Sequence, residues 1–343
     1  MEKGCAKGQR YVINSEEMRE KMKIVVLDGY ALNPGDLSWK ELEALGEIRI
    51  YDRTEKEEIV DRIGDAEIII TNKCVITREI MEQCPSIRYI GILATGYNIV
   101  DIDAAAEKHI PVCNVPGYST PTVAQFTFGL ILELASHIGD HSNSVLAGDW
   151  CRAKDFTYWK YPLAELNGKT MGIIGFGSIG RAVGRIAQAL GMKVLVYNRT
   201  IYPELENESC HFTEKETLFA RSDIISLHCP LFPETENLIN KDSIAQMKQG
   251  AWIINTARGG CIAEQDLAEA LNSGKLGGAA LDVVREEPMR EDSPLLHAKN
   301  IIITPHIAWA SLEARQRLMD IATENVRAFL SGHPVNAVNG HIC

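Results

Sequence analysis

Three side chains in the last third of the chain have the types and spacing to act on a carbonyl beside a carboxylate. They are Arg258 in "NTARGG", Glu287 in "LDVVREEP" and His306 in "TPHIAWAS". A guanidinium grips a planar carboxylate with two parallel hydrogen bonds, which an ammonium does less well. An imidazole exchanges protons near neutral pH, and a carboxylate beside it favours the imidazolium form. Taken singly, each has a plainer reading: a surface Arg, a loop Glu before a proline, a His satisfied within the fold. Their shared position changes the balance. Arg258, Asp282 and His306 fall at or just beyond the ends of apolar, strand-like runs, and Glu287 lies in the loop after one. In an open parallel sheet, ligands bind outside the carboxyl ends of the strands.

Upstream, "GFGSIG" sets Gly175, Gly177 and Gly180 between the run "MGII" and the helical pattern "IGRAVGRIAQALG". That strand–turn–helix context is what the motif needs to read as a dinucleotide site. Gly175 permits a tight turn, Gly177 lets the backbone approach a pyrophosphate, and Gly180 lets helix and strand pack closely. The helix start, Ser178 and Ile179, offers free N–H groups and a positive dipole end to phosphates. An acid is expected some 20 residues on, where it bonds the ribose hydroxyls of NAD. The chain has Asn198 there, then Arg199 and Thr200. The neutral amide removes repulsion toward a 2′-phosphate, and Arg199 can pair with one. The following segment, "IYPELENES", adds acids and no second cation. The cofactor expected is therefore NADP or NAD: NADPH with a modest preference, NADH still used. A solvated turn Arg is the plain alternative.

These residues need a scaffold. Short runs of Ile, Val and Leu recur as "KIVVLD", "EIRIYD", "EIIITN", "YIGILAT" and "PVCNV", then "TMGIIGF", "KVLVYN", "DIISLHC", "GAWIINTA", "GAALDVV" and "NIIITPH". Most are continuous rather than alternating, as in parallel strands covered on both faces. Helical patterns lie between them, so the fold class expected is α/β, doubly wound. At about 150 residues per domain, 343 residues make two. A helical stretch from Val123 to about His137 separates the two sets of strands, and another, about Ser311 to Leu330, follows the last. The division expected is residues 1–22 as an extension, 23–117 with 312–343 as one domain, and 118–311 as the dinucleotide-binding domain. The N-terminus lacks the apolar core of a secretory signal.

A net charge of −11 without a basic run makes nucleic acid and anionic membranes poor partners. The most apolar stretch, "FTFGLILELA", is far short of the ~20 residues that span a bilayer. Nine scattered cysteines without a CxxC pair read as reduced thiols in a cytoplasmic enzyme. His137 and His141 stand at helical spacing but have no third ligand nearby, so no metal is expected. Asp101 and Asp103 suit a helix start. Cys261 reads as a structural thiol, and Trp309, three residues after His306, as a bulky group able to narrow a substrate cleft.

In order, "LATGYNIVD", "GIIGFGSIGR", "HCPLFPET", "INTARGG", "LDVVREEP" and "TPHIAW" make residues 23–338 resemble the D-isomer-specific 2-hydroxyacid dehydrogenases, nearest the glycerate dehydrogenase (hydroxypyruvate/glyoxylate reductase) branch. The resemblance implies two Rossmann-like domains with a cleft between them, and a homodimer joined through the nucleotide domains. It implies reduction of a small 2-keto acid to the D-2-hydroxy acid. His306 is then the acid/base, Glu287 its carboxylate partner, and Arg258 the anchor for the substrate, with the N–H groups of Thr95 and Gly96 as further carboxylate donors. Thr256, Ala257 and Asp282 border the nicotinamide, and Cys229, Pro230 and Thr235 the ribose side. Gln125 stands where Glu is frequent, and no consequence follows from it. Glu287 argues against a formate dehydrogenase, which carries Gln there. A phosphoglycerate dehydrogenase and a corepressor-like nucleotide sensor are the remaining alternatives.

Overall fold

A computed structural model describes residues 22–340. The expected N-terminal extension, apart from Met22, lies outside them. The chain divides into two compact units. One runs up to Ser119 and resumes at Ala310; the other is Thr120–Trp309.

The first unit is built on a five-stranded sheet of β1 (Lys23–Val26), β2 (Glu47–Ile50), β3 (Ile68–Thr71), β4 (Tyr89–Ile92) and β5 (Val112–Cys113), in the order β2-β1-β3-β4-β5. Every pairing is parallel. β3 and β4 are buried along their whole length, as their unbroken apolar runs require. The helix Leu312–Leu330 returns to this unit. Ser311 caps it, its hydroxyl accepting the Ala314 N–H. Arg315 bonds Asp36 with both guanidinium nitrogens and also the Leu32 carbonyl. The Phe329 ring packs 4.9 Å from that of Tyr89.

The second unit holds seven parallel strands: β6 (Thr170–Ile174), β7 (Lys193–Tyr197), β8 (Cys210–Phe212), β9 (Ile224–Leu227), β10 (Ala251–Asn255), β11 (Leu276–Leu281) and β12 (Ile301–Ile303). Their order is β12-β11-β10-β9-β6-β7-β8. The chain winds outward from β6 through β7 to β8, then restarts at β9 on the other side. The β6/β9 boundary is thus a topological switch point, where such sheets open a crevice at their carboxyl ends. The three-residue β8 was not legible as an apolar run: it is an edge strand of "CHF" with only Cys210 buried. The long helix Thr120–Ser136 packs inside this unit and ends where His137 takes a left-handed backbone, φ 47°. A second helix, Ile138–Leu146, then begins. His141 spends Nδ1 on the His137 carbonyl and Nε2 on the Lys160 N–H.

Candidate active site

The glycine turn sits between β6 and the helix Ser178–Ala189. Gly175 has φ 91°, and a Cβ there would meet the backbone of His228 and Cys229 at 2.7 Å. At Gly180 a Cβ would meet the Gly175 carbonyl oxygen at 2.1 Å, so helix and turn touch backbone to backbone. Gly177 differs: a Cβ there would meet nothing within 4 Å. It faces open space, where a phosphate can come close to the main chain. The first helical bond runs from Arg181 N to Gly177 O at 3.0 Å. The amides of Ser178, Ile179 and Gly180 precede that ladder and are free for an anion. Residues and geometry fit a dinucleotide pyrophosphate.

The side chain of Asn198, just past β7, ties two loops together. Its Oδ1 accepts the Phe176 N–H at 2.8 Å, and its Nδ2 donates to Thr200 O at 2.7 Å. Arg199 and Thr200 are exposed beside it. On the opposite side of the switch point, Thr235 closes the loop after Cys229 by donating to Pro230 O and accepting the Phe232 N–H. The hydrogen bond with Cys261 and burial hold the Cys229 thiol well above its ordinary range. Cys261 itself is fully buried.

Three neighbouring strands, β10, β11 and β12, deliver the chemistry-bearing residues at their carboxyl ends. After β10, Thr256 Oγ1 lies 3.0 Å from Thr127 Oγ1 of the long helix. Arg258 follows Ala257 and is exposed, its Nη1 donating to Ala257 O. Buried Asn255 shapes that turn from below: its Oδ1 accepts the Ala257 N–H, and its Nδ2 donates to Arg258 O at 2.9 Å.

After β12, His306 takes a left-handed backbone, φ 54°, uncommon for a residue with a side chain. Asp282, the residue after β11, holds it there. Asp282 is 1% exposed. Its Oδ1 accepts Thr304 Oγ1 at 2.6 Å and Ile307 N at 2.9 Å, and its Oδ2 accepts Ala308 N at 2.8 Å. Its main-chain oxygen accepts the His306 N–H at 2.8 Å. Burial pushes the Asp282 carboxyl above its ordinary value, yet three donors offset much of the cost of charge there. Asp282 was expected beside the nicotinamide; its carboxylate oxygens are spent on the His306 loop. The Trp309 indole N–H adds a bond to His306 O at 2.9 Å. Trp309 thereby braces the same loop, a role its bulk alone did not suggest.

The imidazole so positioned meets its partner. His306 Nδ1 lies 2.7 Å from Glu287 Oε2, both side chains about a third exposed. Glu287 Oε1 accepts the Val284 N–H at 3.3 Å, which fixes the carboxylate. The structure thus brings His306, Glu287 and Asp282 into one hydrogen-bonded cluster and sets Arg258 on the adjoining strand end. Thr95 and Gly96 belong to the other unit, in the loop after β4. There Thr95 Oγ1 donates to Val115 O, and Asn114 Nδ2 donates to Thr95 O. Gln125 is exposed on the long helix. The positioning residues Asn255 and Asp282 carry no signal of their role in the sequence beyond lying at strand ends.

The family described as "D-isomer specific 2-hydroxyacid dehydrogenase, NAD binding domain" matches residues 128–308. A hydroxypyruvate reductase of Blautia hydrogenotrophica is 59% identical over 321 residues, covering 93% of this chain and 100% of that protein. A glycerate dehydrogenase of Methylorubrum extorquens is 40% identical over 319 residues, 92% of this chain and 98% of that protein. A solved acyclic imino acid reductase, in complex with NADPH and D-Arg, has a TM-score of 0.79 at 31% identity, covering 92% of this chain and 100% of that one. With its glycine turn, switch point and His–Glu pair, the chain belongs to the D-isomer-specific 2-hydroxyacid dehydrogenase family, oxidoreductases that work with a nicotinamide dinucleotide.

Proposed function

We propose that this protein reduces a small 2-keto acid, hydroxypyruvate or glyoxylate, to the D-2-hydroxy acid, D-glycerate or glycolate, and catalyses the reverse. The observation that carries the chemistry is the 2.7 Å bond between His306 Nδ1 and Glu287 Oε2 at the strand ends that also bear Arg258. The hydroxypyruvate reductase and glycerate dehydrogenase relatives support the substrate.

A reduced nicotinamide dinucleotide, held by its pyrophosphate at the glycine turn, would supply the hydride. Arg258 holds the substrate carboxylate with its planar fork, and the N–H groups of Thr95 and Gly96 are proposed as further donors to it. As negative charge grows on the carbonyl oxygen, His306 gives up the proton on Nε2 while Nδ1 stays bonded to Glu287. Such proton delivery contributes typically 10²–10⁴-fold. Glu287 fixes the ring's orientation and tautomer through that bond. In the reverse direction neutral His306 takes the proton from the hydroxyl. Thr256, Ala257, Cys229, Pro230 and Thr235 line the cofactor on this reading, and Asp282 acts through His306.

Both NADPH and NADH serve, NADPH modestly preferred, because Asn198 places no charge against a 2′-phosphate and Arg199 stands exposed beside it. The protein works as a homodimer in the cytoplasm. Ile138, Leu146, Phe156, Trp159 and Leu163, after the long helix, are all more than half exposed, an apolar surface that a second copy would cover. Free thiols at Cys74, Cys84, Cys113, Cys151, Cys210, Cys229 and Cys261 suit a reducing compartment.

The test is turnover of a panel of small 2-keto acids with NADH and with NADPH, on wild type and His306→Ala. Hydroxypyruvate reduction that collapses in the variant is the expected result. Binding of both cofactors with no turnover of any acid makes the protein a nucleotide sensor and overturns the proposal.

A further inference from the structure

The segment after Thr200 carries acids and no second cation, but the fold brings one from another element. Arg181 stands in the first turn of the helix Ser178–Ala189. Its Nε donates to Phe176 O at 3.0 Å, and its guanidinium carbon lies 4.4 Å from the centre of the Tyr202 ring. The same Phe176 gives its N–H to Asn198, whose amide bonds Thr200 O. Tyr202 is backed by Phe212 at 6.4 Å, and Phe212 meets the Phe176 ring edge-on at 5.6 Å. Arg181 is therefore fastened to the residues that shape the turn carrying Arg199.

The manner of fastening matters. Nε and one face of the guanidinium are occupied, while the edge bearing Nη1 and Nη2 is not spent on either contact. A planar fork held at its base suits a phosphate, and less rotamer freedom is lost when one arrives. Neither Arg181 nor Arg199 takes part in an ion pair among the described residues. Of the acids that follow, Glu206 turns Oε1 to the Phe212 N–H instead.

We propose that Arg181 is a specificity-determining residue: held on Phe176 and Tyr202, it forms with Arg199 a two-arginine clamp for the 2′-phosphate of NADPH. This rests on the reading that the protein accepts NADPH, and it explains how a site with one cation in its β7 turn can do so. The clamp acts on binding and leaves the hydride and proton steps to other residues.

The test uses two probes that differ only by the 2′-phosphate, adenosine 2′,5′-bisphosphate and 5′-AMP, titrated calorimetrically into the full protein. Wild type should bind the bisphosphate about tenfold or more tightly than 5′-AMP, the scale of one charge-assisted hydrogen bond. Arg181→Met should lower that ratio by at least about fivefold, and Arg181→Lys, which keeps the charge, should restore part of it. Retained 5′-AMP binding in Arg181→Met reports an intact glycine turn. If that variant binds neither probe, the lysine variant decides: a ratio between those of wild type and Arg199→Met supports the clamp, and a wild-type ratio overturns the need for a fork. A wild type that does not distinguish the probes overturns the NADPH reading and the clamp together. A preference that survives Arg181→Met and vanishes in Arg199→Met leaves the NADPH reading standing and overturns the role of Arg181.

Discussion

Replacing Asp282 by Asn changes one atom and should cripple a residue it never replaces. The carboxylate holds Thr304 and Ile307 on Oδ1 and Ala308 on Oδ2. An amide keeps the two bonds on its oxygen and turns an NH₂ toward the Ala308 N–H, donor against donor. Flipping it only moves the clash, because Thr304 Oγ1 can turn to accept from the amide while the Ile307 N–H then faces a donor. One buried unpaired donor costs roughly 1–3 kcal/mol. The strain at His306, whose φ is 54°, is held in place by these bonds, so the cost falls on the geometry of the His306 loop. If the competent loop loses that much against alternatives, turnover drops by about 5- to 150-fold. The same loss lowers the melting temperature by roughly 2–12 °C for a unit of this size. Steady-state reduction of hydroxypyruvate, followed through NADH absorbance, reads the first effect, and thermal unfolding the second. The KM for NADH should move little, since the glycine turn is untouched. Wild-type turnover at an unchanged melting temperature would show that Asp282 does not position His306, and would sink the reasoning.

His306→Ala should lower reduction by about 10²–10⁴-fold with cofactor binding nearly intact; near-normal turnover refutes its role as acid. Asn198→Asp should weaken NADPH about 10- to 100-fold and spare NADH, by setting a carboxylate against the 2′-phosphate. A wild type that favours NADH more than tenfold contradicts the cofactor reading. Glyoxylate and hydroxypyruvate should outpace branched and aromatic 2-keto acids, in graded fashion, since a methylene discriminates by only ~1–3 kcal/mol; faster turnover of phenylpyruvate disproves this.

What could be read in the sequence was whatever a local pattern encodes. Continuous apolar runs gave β3, β4, β6 and β10 because parallel strands are buried on both faces. The turn at Gly175 and Gly180 was legible because only glycine tolerates the contacts found there. β8 escaped because an edge strand of three residues with only Cys210 buried leaves no run to detect. Arg258, Glu287 and His306 could be singled out as candidates because their chemistry is conspicuous and each stands after a strand.

Their supports were hidden for a different reason. Asn255 bonds a turn two and three residues away, but nothing in "INTARGG" says that its amide points inward. Asp282 and the loop it anchors are more than twenty residues apart, joined only because β11 and β12 are neighbours in the sheet. Trp309 looked like a wall for substrate, yet its indole N–H is committed to the His306 carbonyl. The most instructive case is Arg181. A search along the β7 turn finds a single cation, because charge was counted along the chain. In space the first turn of the helix that precedes β7 is tied to the same turn, since Phe176 bonds both Asn198 and Arg181. On the proposed clamp, cofactor preference is set by what the glycine turn and the β7 turn share, and a linear count of charges after β7 underestimates it.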